Sequence, residues 1–403
     1  MLTKKGLQSR LKQRIKPLQK QQTTVKKINI IPVLLIAYIM NACTTSTETI
    51  NSDIQLLDPK KFETSLEGKQ TSLYVLKNNN GMLSEITNYG ARVVSLWAKD
   101  KNGTFEDIVL GHDNIADYLD SNDAYFGSAI GRNANRIAKG KFSIDEQEYE
   151  IEVNNGPNSL HSGNTGFHKV VWDAKQIDDQ TLELHYLAKD GEGGYPGNLD
   201  VKLVYQLTDK NELKVEYWAT TDKKTIANFT HHSYFNLKGA GKGTITDHIM
   251  HINASHYTPY DATCVPTGIV ESVENTPLDF RTPTLIGERI NSEFEQTKIG
   301  YGYDHNWVLN KSETGLNYAI KLESPQSGRV LEVETNQIGI QFYSGNYLEN
   351  PNGKHGHKYG FREALNLETQ SYPDSPNQEN FPKTFLLPGE EYYSVCIYRL
   401  SVQ

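Results

Sequence analysis

Between Val201 and Tyr217 apolar and polar positions alternate with a period of two. Leu203, Tyr205 and Leu207 are interleaved with more polar neighbours, Asp209-Lys210-Asn211 supplies a turn, and Leu213, Val215 and Tyr217 resume the alternation. Successive side chains of a strand point to opposite faces, so this pattern predicts a hairpin with one buried and one wet face. Leu182, Leu184 and Tyr186 repeat the pattern, as do Tyr149, Ile151 and Val153. Shorter apolar runs meet turn clusters: Leu73 to Leu76 runs into Asn78-Asn79-Asn80-Gly81 before Met82 to Ile86, and Val93 to Trp97 is closed by Lys99 to Gly103. Helical periodicity is scarce, and Leu285 to Phe294 is the best candidate. Many alternating strands without a strand–helix–strand rhythm predict an all-β fold, a large antiparallel β-sandwich. No linker-like boundary or internal repeat interrupts residues 62–403, which read as one domain.

Composition agrees: 23 Tyr and 31 Gly against 4 Met favour strands and turns over a helix bundle. The net charge of -8 argues against a nucleic-acid partner, since phosphate binding needs a basic surface. It suits a neutral small molecule better.

The N-terminus breaks the pattern. A run from Lys4 to Lys27 rich in Lys and Arg passes into an apolar stretch, Ile30 to Met40, that is shorter than the roughly 20 residues needed to span a bilayer. Positive charge before a short apolar core reads as a secretory signal. Met40-Asn41-Ala42-Cys43 resembles a bacterial lipoprotein processing site, which makes Cys43 the lipidated residue and the protein a periplasmic or outer-membrane lipoprotein; an uncleaved anchor or an ordinary secretion signal is the alternative. Residues 1–43 are then a signal peptide, residues 44–61 a Ser/Thr/Asn-rich tether, and the fold begins near Phe62. Cys43, Cys264 and Cys396 are too far apart for a disulfide framework and have no metal spacing; the last two read as small buried hydrophobes.

Chemistry concentrates in a few places. Asn228-Phe229-Thr230-His231-His232-Ser233-Tyr234-Phe235-Asn236-Leu237 is dense in groups that carry protons. Asn135 and Arg136 lie in a run of Arg, Asn and small residues that can grip sugar hydroxyls, or form a basic turn at a strand end. His161 sits in a Gly/Asn-rich loop, free to face a ligand or solvent. Asp304, among aromatics, suits the polar edge and apolar face of a sugar, or caps a turn. Gln341 has the wrong polarity for its strand unless something satisfies it. Glu368, in Leu365 to Gln370, would become a general base near neutrality if burial raised its pKa, or be a wet-face residue of an edge strand. Gly239-Ala240-Gly241-Lys242-Gly243 lacks phosphate-loop spacing and reads as a turn.

Together these segments resemble the aldose 1-epimerase (galactose mutarotase) family from about Phe62 to the C-terminus. Asn88-Tyr89-Gly90-Ala91, Asn135-Arg136-Ile137, Leu160-His161, Asp190 to Leu199, Asn228 to Leu237, Asp304-His305-Asn306, Gln341 to Asn346 and Leu367-Glu368-Thr369-Gln370 carry the resemblance in order. It implies a β-supersandwich that interconverts the α and β anomers of free aldoses such as glucose and galactose, in hexose metabolism. It puts the acid on His232, the base on Glu368, and sugar contacts on Asn135, Arg136, His161, Tyr234, Asp304 and Gln341. One departure is His231, where the family often has Asn. Anomer exchange needs one group to take the O1 proton and another to protonate the ring oxygen, so no cofactor or metal is expected. A glycoside hydrolase using Asp304 and Glu368 is a rival, as is a sugar-binding lipoprotein without catalysis, although binding alone needs no acid–base pair.

Overall fold

The computed structural model describes residues 51–120, 125–313, 315–349 and 351–403. The expected signal peptide, its Cys43 and the first part of the tether lie outside the described residues.

Strict alternation in the central hairpin does what it predicts. Leu199–Thr208 pairs with Glu212–Thr221, with Leu203 opposite Tyr217, Tyr205 opposite Val215 and Leu207 opposite Leu213. Leu199, Val201, Leu203, Tyr205 and Leu207 are fully buried, and the residues between them reach solvent. Each such aliphatic side chain contributes about 1.5–3 kcal/mol on burial.

This hairpin lies inside a nine-stranded antiparallel sheet. From one edge the strands run Asp173–Gln176, Thr181–Ala188, Leu199–Thr208, Glu212–Thr221, Tyr392–Val402, Arg329–Thr335, Asn317–Glu323, Ile249–Ile252 and Thr284–Leu285. The C-terminal strand is inserted in the middle and joins early strands to late ones. A second sheet of six strands has the order Tyr234–Phe235, Leu365–Gln370, Gly339–Tyr343, Asp304–Leu309, Ala254–Thr258 and Glu271–Ser272. Its inner face presents Leu365, Leu367, Ile340, Phe342 and Trp307 to the core that also holds Leu203, Val215 and Tyr398. Tyr398 donates from the nine-stranded sheet to the Leu367 carbonyl at 2.9 Å, so its hydroxyl is satisfied where the two sheets meet. A four-stranded sheet, Leu73–Lys77, Leu83–Thr87, Arg92–Lys99 and Phe105–Asp107, completes the layers. The fold is the expected all-β antiparallel sandwich.

Three local expectations change. Packing begins before Phe62, because Leu57 is buried with its N–H on Glu85 Oε1 at 2.9 Å, and Ile54 and Leu56 pack against Leu83, Trp97 and Phe105. The packed part of the chain therefore reaches back to Ile54, into the stretch expected as a tether. The helix expected over Leu285 to Phe294 is a single turn, Ile286–Arg289, followed by another at Glu295–Ile299. From the second turn the Thr297 hydroxyl reaches back to the Ser292 and Phe294 carbonyls between the two, a local side-chain pairing that competes with helix continuation. The strand through Tyr149 stops at Glu150, and Val153 is exposed as the chain turns into the loop that carries His161.

Candidate active site

In the six-stranded sheet, residues of one parity face the core and those of the other parity form a second face. Register places Tyr234 opposite Asn366, Asn366 opposite Tyr343, Glu368 opposite Gln341, Tyr343 opposite Asp304, and Gln341 opposite Asn306. That face is almost wholly polar, and it is buried: Glu368, Gln341, Asn366 and Asp304 are each at most 7% exposed. Glu368 is thus on an interior strand, not on the wet face of an edge. Buried polar groups without a structural ladder to join mark a place where something else must be bound.

The opposing wall comes from two other segments. Thr230–His232 pairs with Ser128–Ile130, and the strand period sends the two histidines to opposite sides. His231 turns inward, with Nδ1 3.2 Å from the Tyr205 hydroxyl and Nε2 2.6 Å from the Ser233 hydroxyl, and burial lowers its pKa to about 3. His232 turns outward and brings Nε2 to 3.4 Å from Glu368 Oε1. The loop through His161 is tied down by the short pair Ser159–Leu160 with Arg136–Ile137. Asn135 and His161 both adopt left-handed backbone conformations, with φ of 61° and 53°. The His161 N–H donates to the Asn135 carbonyl at 3.0 Å, and the Asn135 N–H donates to His161 Nδ1 at 3.1 Å. The strain is held by these reciprocal bonds and aims both side chains into the same space.

That space is a cavity of about 560 Å³. Of the eight residues expected at the site, seven line it; Gln341 does not, and instead donates from Nε2 to Asp304 Oδ1 at 2.8 Å. Arg136 Nη2 lies 3.5 Å from Asp304 Oδ2, and its Nε donates to Asn155 Oδ1 at 3.1 Å. Asp304 is therefore gripped from two sides. Burial, with Asp304 nearby, pushes the Glu368 pKa well above the ordinary carboxylate value, and Arg136 partly opposes this. Burial, with His232, His168 and Arg136 around it, drives His161 well below the ordinary histidine value. Glu368 Oε2 has no hydrogen-bond partner among the described residues, which leaves an acceptor for a hydroxyl group at the cavity wall.

Other residues escaped the sequence reading. Tyr125 packs edge-on against His161 at 4.8 Å between ring centroids and lies 5.6 Å from the His232 ring. Nothing in its sequence neighbourhood marks it. Asn366 contacts His232, and its signal was present: a residue two positions from Glu368 in a strand shares its face. Cys396 is buried as expected, whereas Cys264 is only partly buried and lies in the cavity wall. His305 faces away from the site, stacks on Tyr260 at 4.4 Å and is lowered by burial to about 3. The Asp190 to Leu199 segment supports the site from behind. Arg132 donates to the carbonyls of Lys189, Pro196 and Gly197, and Tyr195 meets Ser162, the neighbour of His161, at 3.0 Å.

The ligating atoms of His161, His232 and Glu368 lie within 4.8 Å of one another, a spacing a metal could use. The hydrogen bonds behind the two histidines do not fit a metal. A histidine that ligates through Nε2 carries its proton on Nδ1 and donates it to an acceptor. Here both Nδ1 atoms face N–H donors, the Asn135 backbone and the Asn366 amide. What converges is two imidazoles, His161 and His232, the buried Glu368 carboxyl group and the clamped Asp304 carboxylate around one cavity.

The Aldose 1-epimerase family model matches residues 72–399. The chain is 43% identical to the galactose mutarotase of Bos taurus over 79% of this chain and 91% of that protein. It is 34% identical to the aldose 1-epimerase of Escherichia coli (strain K12) over 84% of this chain and 97% of that one. Among solved structures, an aldose epimerase homologue from C. elegans superposes with a TM-score of 0.77 at 28% identity, covering 82% of this chain and 99% of that chain. A galactose 1-epimerase from Lactobacillus acidophilus gives 0.74 at 27%, covering 84% and 97%. The chain belongs to the aldose 1-epimerase family of isomerases.

Proposed function

We propose that the protein interconverts the α and β anomers of free aldoses, glucose and galactose among them, with Glu368 as base and His232 as acid. The observation that carries this reading is the approach of His232 Nε2 to 3.4 Å from Glu368 Oε1, both buried, at the wall of a hydroxyl-binding cavity. The Glu368 carboxylate takes the O1 proton as C1=O1 forms, C1–O5 breaks with its electron pair on O5, and His232 Nε2–H protonates O5. Rotation about C1–C2 and closure on the other face reverse both transfers. Burial and Asp304 make Glu368 a stronger base than an exposed carboxylate, which suits abstraction of a hydroxyl proton. Arg136 and Asp304 supply donors and acceptors for ring hydroxyls, with Asn135, His161 and Tyr234 as further contacts, and Gln341 steadies Asp304.

The test is polarimetry. Fresh α-glucose or α-galactose is expected to equilibrate faster with protein than with buffer, and His232→Ala is expected to lower kcat by about 10²-fold or more with a smaller change in KM. Normal turnover in that variant would overturn the assignment. The basic leader, short apolar run and Cys43 support export and lipid anchoring in a bacterium, with the sugar site outside the cytoplasm. Radiolabelled palmitate on the wild type and not on Cys43→Ser would bear this out.

A further inference from the structure

We infer, resting on the reading of His232 as proton donor, that His232 works as a neutral imidazole and that Asn366 is the positioning residue that holds it in the Nε2–H form. The side-chain nitrogen of Asn366 lies 3.2 Å from the Ser233 carbonyl and 2.9 Å from His232 Nδ1. A carbonyl oxygen can only accept, so the amide NH₂, and not the amide oxygen, must face both atoms. His232 Nδ1 is then an acceptor with a lone pair. The single proton of the neutral ring sits on Nε2, the atom that faces Glu368. Adding a second proton would set an Nδ1–H against an N–H, which disfavours the imidazolium.

His161 repeats the arrangement with a donor that cannot turn around. The Asn135 backbone N–H points at its Nδ1, so its Nε2 carries the proton too. The two rings lie 5.1 Å apart, and a positive charge on one opposes charge on the other. Of the remaining groups around His232, Glu368 favours a positive charge on the ring, a charge there disfavours protonation of the buried His231 and His168, and Arg136 shares the cavity wall. Tyr125 and Tyr234 face the ring as uncharged aromatics at 5.6 and 5.2 Å.

A neutral imidazole is a competent donor to an oxygen that is gaining charge, as enzymes of enolisation illustrate. As C1–O5 breaks, the proton moves from Nε2 to O5. The ring's growing negative charge is stabilised at Nδ1 by the Asn366 N–H, and hydrogen bonds in such a chain strengthen one another. Ring closure returns the proton. No charge on His232 has to be restored from solvent between turnovers.

The test uses the full chain labelled with ¹⁵N-histidine, with the His232 signals assigned by their loss in His232→Gln. Between about pH 6 and 8, where an ordinary histidine titrates, Nδ1 is expected to resonate as a bare nitrogen and Nε2 as a protonated one throughout. Joint protonation of both nitrogens at the lower pH would overturn the inference. In parallel, Asn366→Asp replaces the donor by an acceptor, which moves the neutral proton to Nδ1 and makes Nε2–H depend on the imidazolium. The ratio of variant to wild-type kcat is expected to fall by about 10²-fold as pH rises to 8 and to recover as pH falls, with KM little changed. A ratio independent of pH would count against it. Should Asn366→Asp fail to fold, the wild-type spectra decide alone. Absence of any mutarotation by the wild type would sink the functional reading instead and leave the tautomer measurement standing.

Discussion

In the hairpin Leu199–Thr221 the period-two rule sorts apolar side chains into the core and polar ones toward water; in the strand Leu365–Gln370 the same rule operates with water on neither side. Leu199, Val201, Leu203, Tyr205 and Leu207 are buried while Asp200 and its same-face neighbours are at least partly exposed. Leu365 and Leu367 face the same core, yet Asn366, Glu368 and Gln370 on the other face are buried as well. The first region is built for stability, since every buried group is apolar or hydrogen-bonded. The second keeps a desolvated carboxylate with one oxygen unpartnered, which is unfavourable for folding and favourable for taking a proton.

The largest effect that could break this contrast is on turnover. Glu368→Gln keeps shape and burial and removes the proposed base, so kcat measured by polarimetry should drop by about 10²-fold or more. Leu203→Ala should do the reverse: it costs about 2–5 kcal/mol in denaturant unfolding and leaves kcat per folded molecule unchanged. A tenfold loss of kcat in folded Leu203→Ala would mean that the two regions are not separable.

A finer version of the comparison lies within the histidine pair. Adjacent in sequence, His231 and His232 fall on opposite sides of their strand, one toward Tyr205 and Ser233 and the other toward Glu368. His231→Ala removes the ring's bond to the buried Ser233 hydroxyl, while the Tyr205 hydroxyl keeps the Ala91 carbonyl. The expected cost is about 1–3 kcal/mol of stability, read by urea unfolding, with kcat falling less than tenfold. A loss of kcat as large as that of His232→Ala would assign His231 to the chemistry.

These contrasts also explain what could be read in the chain before its structure. Local alternation is carried by neighbouring residues, so the hairpin from Val201 to Tyr217 and the strand at Leu182 to Tyr186 were legible with their buried faces. Pairing at long range leaves no such trace: nothing around Tyr392 announces that the last strand slips between Glu212–Thr221 and Arg329–Thr335. The dense proton-carrying stretch Asn228 to Leu237 and a Glu inside an apolar strand pattern were visible in the chain, but only the family resemblance singled out His232 and Glu368 as acid and base. Asn366 did not stand out, because its role depends on the Ser233 carbonyl arriving from another segment to orient its amide. Gln341 was noticed for its polarity, but only the register with Glu368 and the bond to Asp304 explain it.

The smallest expected effect is the dependence of stability on pH. The pKa of Glu368 is raised in the folded state above its ordinary value of 4.5, by burial first and by Asp304 second. The folded protein therefore binds this proton more tightly than the unfolded chain does. Its contribution to stability is fully present below pH 4.5 and is lost as pH rises through the raised pKa. Glu368→Gln is uncharged at every pH and escapes that loss. Thermal unfolding should thus give wild type and Glu368→Gln similar midpoints near pH 4, with the variant melting higher at pH 8. Arg136 narrows the gap without closing it, because its charge favours the ionised carboxylate but is outweighed by burial and Asp304. Equal midpoints at both pH values would mean that Arg136 compensates the buried charge in full, and the contrast between a stabilising face and the proposed catalytic face of the fold would then rest on kinetics alone.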